Sequence, residues 1–424
     1  MNNEILTLQV GKTGILTGNE FWKSLVREKN LLSDFSLGKN SPTNDNVFFE
    51  ESNESFFIPR TIIFDLSERD FNYIMKSNYS KMYDKNRHFI LNKNTGNSWL
   101  KGYYEGISNC NLVDNILRKR IEKMNSVKYF NVFNSINGGT GAGLSSYLIE
   151  YIRNNYPKSF INCCSIFPDL YGNTQVTFQP YNSVLSIAWQ GLYCDSNIFF
   201  QNHAIENLLT KNQINNELSF RKVNYIIGKT ISIIMNTLNH NFTLETLISP
   251  LIVNPYLNLF FSTINIDILL SKLRKKRPSM IENKTNQLNE ISMNLDLKSG
   301  NYLSSIELSN RNFYKLFANS IYDKIFYDQT RFYSQLLNQY DSVIINNNVK
   351  KENYSSLTYL LNHTSFNPVI KKIIQNFELL KKRNAFLEYY CGEILLDEAN
   401  TLFRESKDYI LDIINNYDNI LSYY

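Results

Sequence analysis

Residues 134–144 read Asn-Ser-Ile-Asn-Gly-Gly-Thr-Gly-Ala-Gly-Leu, the segment whose composition is best suited to chemistry. Glycines let the backbone turn sharply and bring its N–H groups close to a phosphate, and the positive end of a following helix favours the anion. The residue order matches neither the Rossmann fingerprint nor a Walker loop. Taken alone, the segment is also compatible with an ordinary glycine-rich turn between a strand and a helix.

The elements around this segment predict a parallel sheet whose strand ends meet beside it. The predicted strands are 5–10, 60–66, 128–133 and 160–167. Strands that alternate with helices indicate a parallel sheet with crossover connections, and ligands of such sheets sit beyond the carboxyl ends of the strands. Gly11-Lys12-Thr13, Asp65 and residues 134–143 all fall at such ends. This convergence predicts a single nucleotide site.

The pattern changes from about residue 204 onwards. Apolar residues at helical spacing predict a long helix over 220–238 and two C-terminal helices over 366–390 and 395–420, with Cys391-Gly392 between them. A loop is predicted over 32–54, which is rich in Asn, Ser and Glu. The predicted domains are a nucleotide-binding domain at 1–203, a central helix with an intermediate domain at 204–357, and a C-terminal helical region at 358–424.

Bulk composition excludes several classes of protein. The chain has 424 residues, 43% hydrophobic and 20% charged, which is typical of a soluble globular protein of about two or three domains. A net charge of +5 is too weak to indicate nucleic-acid binding. No apolar run is long enough to span a membrane, and no secretory signal is visible at the N-terminus. The five cysteines match no zinc pattern, which predicts buried free thiols in a reducing compartment. The four histidines show no metal spacing either, so no metal site is expected from them.

Five motifs resemble the tubulin family in order and spacing. They are Gly11-Lys12-Thr13-Gly14 with Phe21-Trp22, Asp65-Leu66 with Arg69, 96–99, 138–143, and 179–183. Asn137 stands where the family usually has the first of three glycines. The resemblance extends from residue 3 to about 260 and from about 358 to 420. It implies an α/β, tubulin/FtsZ-like fold: a Rossmann-like parallel-sheet GTP-binding domain, a central long helix, an α+β intermediate domain and a C-terminal helical hairpin.

Several segments resemble the gamma-tubulin branch of the family. They are 47–49 with 57–60, 77–83, 362–365 and 380–388. The chain also ends at Tyr424 without the acidic tail of alpha and beta forms. This resemblance implies a divergent gamma-tubulin that templates microtubule nucleation in mitosis at a cytoplasmic microtubule-organising centre, such as a centrosome or spindle pole body. The implied partners are gamma-tubulin complex proteins, alpha/beta-tubulin dimers and neighbouring gamma-tubulin subunits.

The resemblance implies GTP or GDP as the ligand, with its phosphates held by backbone N–H groups and hydroxyls. The residues expected at the phosphates are Gly11, Lys12, Thr13, Asn97, Ser135, Gly138, Gly139, Thr140 and Gly141. Lys12 departs from the family, which has Gln there. Either its ammonium pairs with a phosphate and supplies part of a metal's charge, or it points to solvent. A Walker interpretation of 11–13 fails because Leu6 stands where that motif needs glycine.

The remaining ligand contacts are also implied by the resemblance. Asn202 and Asn224 would read the guanine edge, since an amide both donates and accepts, and Phe220 would stack on the base unless it is a core aromatic. Thr174 and Gln175 replace the Ser and Asp that the family often has at the sugar. Asp65 would hold Mg²⁺ through water, unless it is an ordinary strand-end aspartate. Ser67 replaces a family acid, which predicts weakened Mg²⁺ binding.

Hydrolysis in tubulins needs an acidic residue from the next subunit. The corresponding loop here is 239–246, in which the family's Asp falls on Thr243. Glu245 is nearby, but a small shift along a helix redirects a side chain, by about 100° per residue. The chain is therefore expected to contain no catalytic residue and to have at most weak GTPase activity. The loop that makes side-by-side contacts between neighbouring subunits in the family is also short here, because residues 264–273 lead directly into the basic run 274–277.

Two other functions remain compatible with the sequence. The chain could be another tubulin-family GTPase that forms filaments by itself, which would require a carboxylate near position 243. It could also be a tubulin-like scaffold without nucleotide, which the residues at positions 12, 67, 137 and 175 would permit.

Overall fold

A computed structural model describes most of the chain. The described residues are 4–29, 31, 47–51, 57–77, 79–80, 83, 88–170, 177–211, 219–238, 243–264, 291–310, 343–345, 357–392 and 394–420. The predicted sugar-loop residues Thr174 and Gln175 and the basic run 274–277 lie outside them, so their roles stay predictions. No helix in the described ranges is long and apolar enough to cross a membrane.

Ten of the twelve strands in the described residues form one large sheet. The strands are β1 (Glu4–Val10), β2 (Phe49–Glu51), β3 (Phe57–Pro59), β4 (Thr61–Asp65), β5 (Phe89–Ile90), β6 (Val127–Ser135), β7 (Phe160–Phe167), β8 (Ser196–Gln201), β9 (Leu259–Ser262), β10 (Tyr302–Asn310), β11 (Val343–Ile345) and β12 (Leu357–His363). Their order in the sheet is β11-β10-β12-β9-β8-β7-β6-β1-β4-β5, while β2 and β3 pair separately. All neighbours from β9 to β5 are parallel, whereas β12 is antiparallel to both β9 and β10.

Helices cover both faces of this sheet. They are α1 (Gly11–Glu28), α2 (Glu68–Met75), α3 (Trp99–Ser108), α4 (Cys110–Ile121), α5 (Ser145–Asn155), α6 (Gln179–Tyr193), α7 (Asn202–Lys211), α8 (Phe220–Met235), α9 (Leu244–Ile248), α10 (Phe366–Lys382), α11 (Leu387–Cys391) and α12 (Leu396–Asn419). Ile5 and Phe133 pack with residues of α1 and α8, whereas Leu6 and Val132 pack with α5. All seven residues of β1 are buried, as expected of a strand covered on both faces. The predicted α/β fold class is confirmed.

Most predicted strands and helices agree with the structure to within a few residues. The prediction missed β5 and β8, and β2 lies inside the segment predicted as a loop. Because β8 pairs with β9, strands on both sides of residue 203 share one sheet, and the predicted domain boundaries stay predictions. The five cysteines are free as predicted, but Cys110 is exposed rather than buried because it begins α4 on the outer surface.

The first C-terminal helix is shorter than predicted. It was expected over 366–390, but α10 ends at Lys382 and a separate short helix, α11, follows. The N–H of Ala385 donates to the Leu380 carbonyl at 3.0 Å, and Asn384 has φ +45°. A left-handed residue after the last turn is a common helix ending, and asparagine tolerates it better than most residues. The C-terminal region therefore has an additional turn between its two long helices.

Candidate functional site

The carboxyl ends of five neighbouring parallel strands lie along one edge of the sheet. In spatial order these strands are β8, β7, β6, β1 and β4. Asn202 follows β8, the glycine-rich loop follows β6, Gly11 follows β1, and Asp65 ends β4. The predicted convergence of the three phosphate-side segments is confirmed, and Asn202 joins them at the same edge.

Gly11 and Gly141 bring two of these segments into direct contact. A Cβ built on Gly11 would lie 2.8 Å from the Gly141 backbone nitrogen and 2.9 Å from its Cα. Gly11 also has φ +67°, a backbone conformation that favours glycine. Both the close approach and the dihedral angle therefore require glycine at position 11.

The glycine-rich loop also lies against the segment that starts α3. A Cβ on Gly139 would be 2.3 Å from Thr95 Oγ1, and a Cβ on Gly143 would be 2.0 Å from the Trp99 carbonyl oxygen. Gly138 differs, because its nearest neighbour would be Ser135 Oγ at 3.8 Å. The loop is thus closely packed on one side and has space at Gly138, where a phosphate could approach its backbone.

A wide helical turn leads from the loop into α5. Residues Thr140–Leu144 form a π-helical turn, and the Gly143 N–H donates to the Gly139 carbonyl at 2.7 Å. Such turns are rare and occur frequently at functional sites. The sequence predicted a helix here but not this widened first turn.

A buried polar network holds the loop from the side of the sheet. Asn134 Nδ2 donates to Ser145 Oγ at 2.8 Å, and Ser145 Oγ donates to the Gly141 carbonyl at 2.6 Å. Ser165 Oγ donates to Asn134 Oδ1 at 2.5 Å, and Gln190 Nε2 donates to Ser165 Oγ at 3.0 Å. These bonds connect β6, β7 and α6 to the backbone of the loop and hold it in place before any ligand binds.

Asn182 is a positioning residue that the sequence analysis did not identify as part of the site. Its Nδ2 donates to the Asn97 and Asn137 carbonyls at 2.8 and 2.9 Å. Its Oδ1 accepts from the Trp99 N–H at 2.9 Å and from the Tyr390 hydroxyl at 2.8 Å. All four hydrogen-bonding capacities of the amide are used. Asn182 lies in the 179–183 motif, but its partners are up to 208 residues away in the chain.

Asp65 is a buried carboxylate with one unsatisfied oxygen. Its Oδ1 accepts from the Leu66 N–H at 2.8 Å, whereas its buried Oδ2 has no hydrogen-bond partner. Burial, with a smaller contribution from Asp70, raises its pKa to about 7 against the opposing effect of the Leu66 and Ser67 backbone N–H groups. Because Asp65 is buried, it is not an ordinary solvent-exposed aspartate at a strand end.

The unsatisfied oxygen of Asp65 fits water-mediated Mg²⁺ binding, because the cation's water could donate to it. In the described part of the chain, no three His, Cys, Asp or Glu residues cluster as a metal site. Any Mg²⁺ here would therefore also need nucleotide phosphates as ligands, which is usual for this ion. Ser67 caps α2 by accepting from the Arg69 N–H at 3.3 Å.

We expect Mg²⁺-dependent nucleotide affinity to rise with pH through about 7. Mg²⁺ binding needs the Asp65 carboxylate, whose raised pKa leaves it mostly protonated at about pH 6. Affinity for GTP in Mg²⁺ should increase about tenfold from pH 6 to 8, as measured by fluorescent nucleotide titration with and without EDTA. The Asp65→Asn variant is the control, and an unchanged pH dependence in that variant would contradict the assignment.

The raised pKa of Asp65 also makes the stability of the nucleotide-free protein depend on pH, with a decrease as pH rises. Between about pH 4 and 7 the folded state retains a proton on Asp65 that the unfolded state has released. The contribution of Asp65 to the free energy of unfolding therefore decreases as pH rises through this window, and it changes no further above pH 7.

Lys12 lies at the start of α1 with its side chain exposed. It forms no ion pair with any residue that the structure describes. Pairing with a phosphate and exposure to solvent both remain compatible with this position, so its role stays a prediction. Thr13, the next residue, is half-buried on the same turn.

The residues predicted to bind guanine lie where α8 packs beside α1. Thr17 Oγ1 of α1 contacts Asn224 Oδ1 of α8 at 3.5 Å. Gly228 packs against Phe21 one turn further along each helix, which shows that the two helices run in the same direction. Phe220 begins α8 and is 63% exposed, which excludes a core aromatic. An aromatic ring is thus accessible near the start of α1.

Asn202 has the second unsatisfied polar atom at this edge. It is half-buried, and its Oδ1 is buried without a hydrogen-bond partner. A buried amide oxygen without a partner is costly, and a ligand N–H would satisfy it. This feature fits the predicted contact with a guanine edge, which stays a prediction.

Thr243 directly precedes α9 and Glu245 lies on it, at the other end of the sheet. Thr243 caps α9: its Oγ1 accepts from the Thr246 N–H at 3.1 Å, and Thr246 Oγ1 accepts from the Thr243 N–H at 2.8 Å. Glu245 pairs with Lys128 at 3.1 Å, beside the first residues of β6. Because β6 has nine residues, about 30 Å separates this end from the glycine-rich loop.

Comparison with known families agrees with this geometry. Residues 4–210 match the Tubulin/FtsZ family, GTPase domain. This part of the chain is similar to the GTPase domain of that family. The match supports a place for the chain in the tubulin superfamily, a cytoskeletal family whose members bind GTP or GDP. The matched range includes the glycine-rich loop, Asp65 and Asn202, whereas Phe220 and Asn224 on α8 follow it.

Proposed function

We propose that this tubulin-family protein is of the gamma type and templates microtubule nucleation. In this proposal gamma-tubulin complex proteins hold it at a microtubule-organising centre, such as a centrosome or spindle pole. Neighbouring copies stand side by side, and the nucleotide-bearing end of each receives an incoming alpha/beta-tubulin dimer. Presenting several subunits together pre-organises the lattice and lowers the cost of association.

The observation that carries this proposal is the chemistry of α9. In a tubulin that stacks on itself, this end must present an acid to the nucleotide of the next subunit. Here Thr243 is engaged in capping, and the nearby Glu245 carboxylate is paired with Lys128. The position that the family fills with an acid therefore has no carboxylate, and Glu245 is turned toward Lys128, so this end is better suited to an anchoring protein than to a neighbour's nucleotide.

The nucleotide end supports binding rather than rapid hydrolysis. Backbone N–H groups of the glycine-rich loop face the phosphates, and Ser135, Thr140 and Asn97 add polar groups beside them. Mg²⁺ held through water by Asp65 would neutralise phosphate charge when bound. Asp65 is the one carboxylate among these groups, and its proposed role at the Mg²⁺ water leaves none to activate an attacking water. The nucleotide is therefore expected to hold the loops in the conformation that receives the incoming dimer.

A bead assay tests the templating function. The purified protein is tethered densely to beads and incubated with GTP and alpha/beta-tubulin below the concentration at which microtubules nucleate spontaneously. Microtubules should grow from these beads within the observation time, as seen by fluorescence microscopy. Bare beads and the same amount of untethered protein are the controls, and both should give far fewer microtubules.

The alternatives predict other outcomes. Equal nucleation from tethered and bare beads would contradict templating. Filaments formed by the purified chain alone, with release of phosphate, would indicate a filament-forming GTPase. Failure to bind fluorescent GTP saturably at micromolar concentrations would indicate a nucleotide-free scaffold.

A further inference from the structure

A carboxylate surrounded by aromatic rings lies on the helices that cover the outer face of the sheet. We call it the Glu150 cluster, and it consists of Tyr103 on α3, Glu150 on α5, and Trp189 and Tyr193 on α6. Glu150 Oε2 accepts from the Tyr103 hydroxyl at 2.6 Å and from Trp189 Nε1 at 2.8 Å. The ring centroids of Tyr103 and Trp189 are 5.7 Å apart, and those of Trp189 and Tyr193 are 6.5 Å apart. All four residues are half-buried, so a solute can reach them.

The rings of this cluster are held by buried neighbours. Trp99 stacks on Tyr103 with centroids 4.7 Å apart and contacts Trp189 edge-on at 4.9 Å. Trp99 Nε1 donates to Ser146 Oγ at 3.0 Å, which fixes the orientation of this ring. The cluster is thus pre-organised, and a ligand would not need to order flexible side chains.

Glu150 forms no ion pair within the described part of the chain, so hydrogen-bond donors alone offset its charge. The nearest basic residue on α5 is Arg153, one turn further along. Its guanidinium is already occupied by Asp195 at 2.6 Å and by the Tyr193 and Ser159 carbonyls at 3.0 Å. Burial, then the charge of Glu150 and a hydrogen bond to it, raise the pKa of Tyr193, so the Tyr193 hydroxyl also lies beside this carboxylate.

The hydrogen bonds of Glu150 decide which cation it can accept. The Tyr103 hydroxyl and the Trp189 indole both donate to Oε2, so a ligand cation would use the remaining acceptor capacity at Oε1, beside the Tyr193 hydroxyl. A guanidinium fork needs two carboxylate oxygens, whereas an ammonium is a point charge that needs one. The faces of aromatic rings also attract cations.

We propose that the Glu150 cluster is a docking site for a lysine side chain of a partner protein. The ammonium contacts Glu150 Oε1 and the ring faces of Trp189 and Tyr193. Leu192, between these two rings in sequence and 52% exposed, offers an apolar surface for the rest of the partner segment. This site is separate from the nucleotide site, so it does not depend on the function proposed above.

The test uses the full-length protein labelled with 5-fluorotryptophan. The chain has three tryptophans, and fluorine NMR of the Trp189→Phe variant assigns the Trp189 signal. The probe is Nα-acetyl-lysine methylamide, and the uncharged norleucine analogue, the arginine analogue and choline are titrated in parallel. We expect a saturable shift of the Trp189 signal with a Kd of about 1 mM for the lysine probe. The signal of the buried Trp22 should not move.

The Glu150→Gln variant removes the charge but keeps an oxygen that can accept from Tyr103 and Trp189. It should fold normally, as judged by thermal unfolding, and bind the lysine probe at least tenfold more weakly. Glu122→Gln is the matched control, because among the described residues Glu122 pairs with Arg118 alone, at an exposed position, and it should bind like the original protein. Lysine and norleucine probes that bind equally, or unaltered binding by Glu150→Gln, would overturn the proposal. Tighter binding of choline than of lysine would overturn it in favour of a lipid headgroup.

Discussion

Alanine at position 11 is expected to weaken GTP binding about 100-fold and to destabilise the nucleotide-binding domain. The new Cβ would lie 2.8 Å from the Gly141 nitrogen, and the backbone would be held at φ +67°. The left-handed conformation costs an L-residue about 1–2 kcal/mol, and displacing a packed backbone costs about 1–3 kcal/mol more. The two phosphate-side segments must move apart, so the phosphate loses contacts on one side. Fluorescent GTP titration and urea-induced unfolding measure the two effects.

Gly138→Ala provides the matched control for stability in the same loop. Its Cβ would meet nothing closer than Ser135 Oγ at 3.8 Å, so its free energy of unfolding should stay within about 0.5 kcal/mol of the original. If Gly11→Ala bound GTP as tightly as the original protein, the two segments would not share a ligand, and the proposed site would be wrong.

Replacing Glu4 with glutamine is expected to cost about 3–5 kcal/mol of folding free energy. Glu4 is fully buried at the start of β1 and pairs with Arg60 at 2.8 Å. It also accepts from the Asn125 and Ser126 backbone N–H groups at 2.7 and 3.3 Å. Burial lowers the pKa of Arg60, and Glu4 followed by Glu50 opposes this effect. Without Glu4, the buried guanidinium loses its closest counter-charge.

The exposed pair of Glu122 and Arg118 is the matched control, with more than half of each side chain exposed. Glu122→Gln should change the free energy of unfolding by less than about 0.5 kcal/mol, since exposed ion pairs contribute little. Urea-induced unfolding of both variants gives the comparison. Similar losses for the two variants would show that Glu4 contributes no more than a surface charge. Combining Glu4→Gln with Arg60→Met should restore part of the loss, because the unpaired charge is removed.

The candidate site was predictable where its chemistry is local. Glycines that follow an apolar strand and precede a helical pattern identify a backbone loop, and parallel strands bring their carboxyl ends to one edge. For this reason the sequence alone predicts that Gly11, Asp65 and the 138–143 loop lie close together. Asp65 was expected at a strand end, but its burial and its unsatisfied Oδ2 depend on the elements packed around it.

The strand β8 shows why some elements escaped prediction. Its sequence begins Ser196-Asn197, which is typical of a loop, yet all six residues are buried. Ser196 donates to Asn162 on β7, and Asn197 Nδ2 donates to Asn258 Oδ1 at 3.3 Å. A polar residue can be buried when its partner lies on a neighbouring strand, and no local pattern reveals that partner.

The chain's own pattern of apolar residues and glycines determined the α/β class, the long helix α8 and the position of the phosphate loop, because periodicity and backbone freedom act over a few neighbouring residues. The tertiary structure decided which distant side chains meet. It placed Asn182 between the glycine-rich loop and Tyr390, paired Glu245 with Lys128, and enclosed Glu150 of α5 in aromatic rings from α3 and α6. These contacts join residues that are tens to hundreds of positions apart, so they exist only once the sheet and its helices have packed.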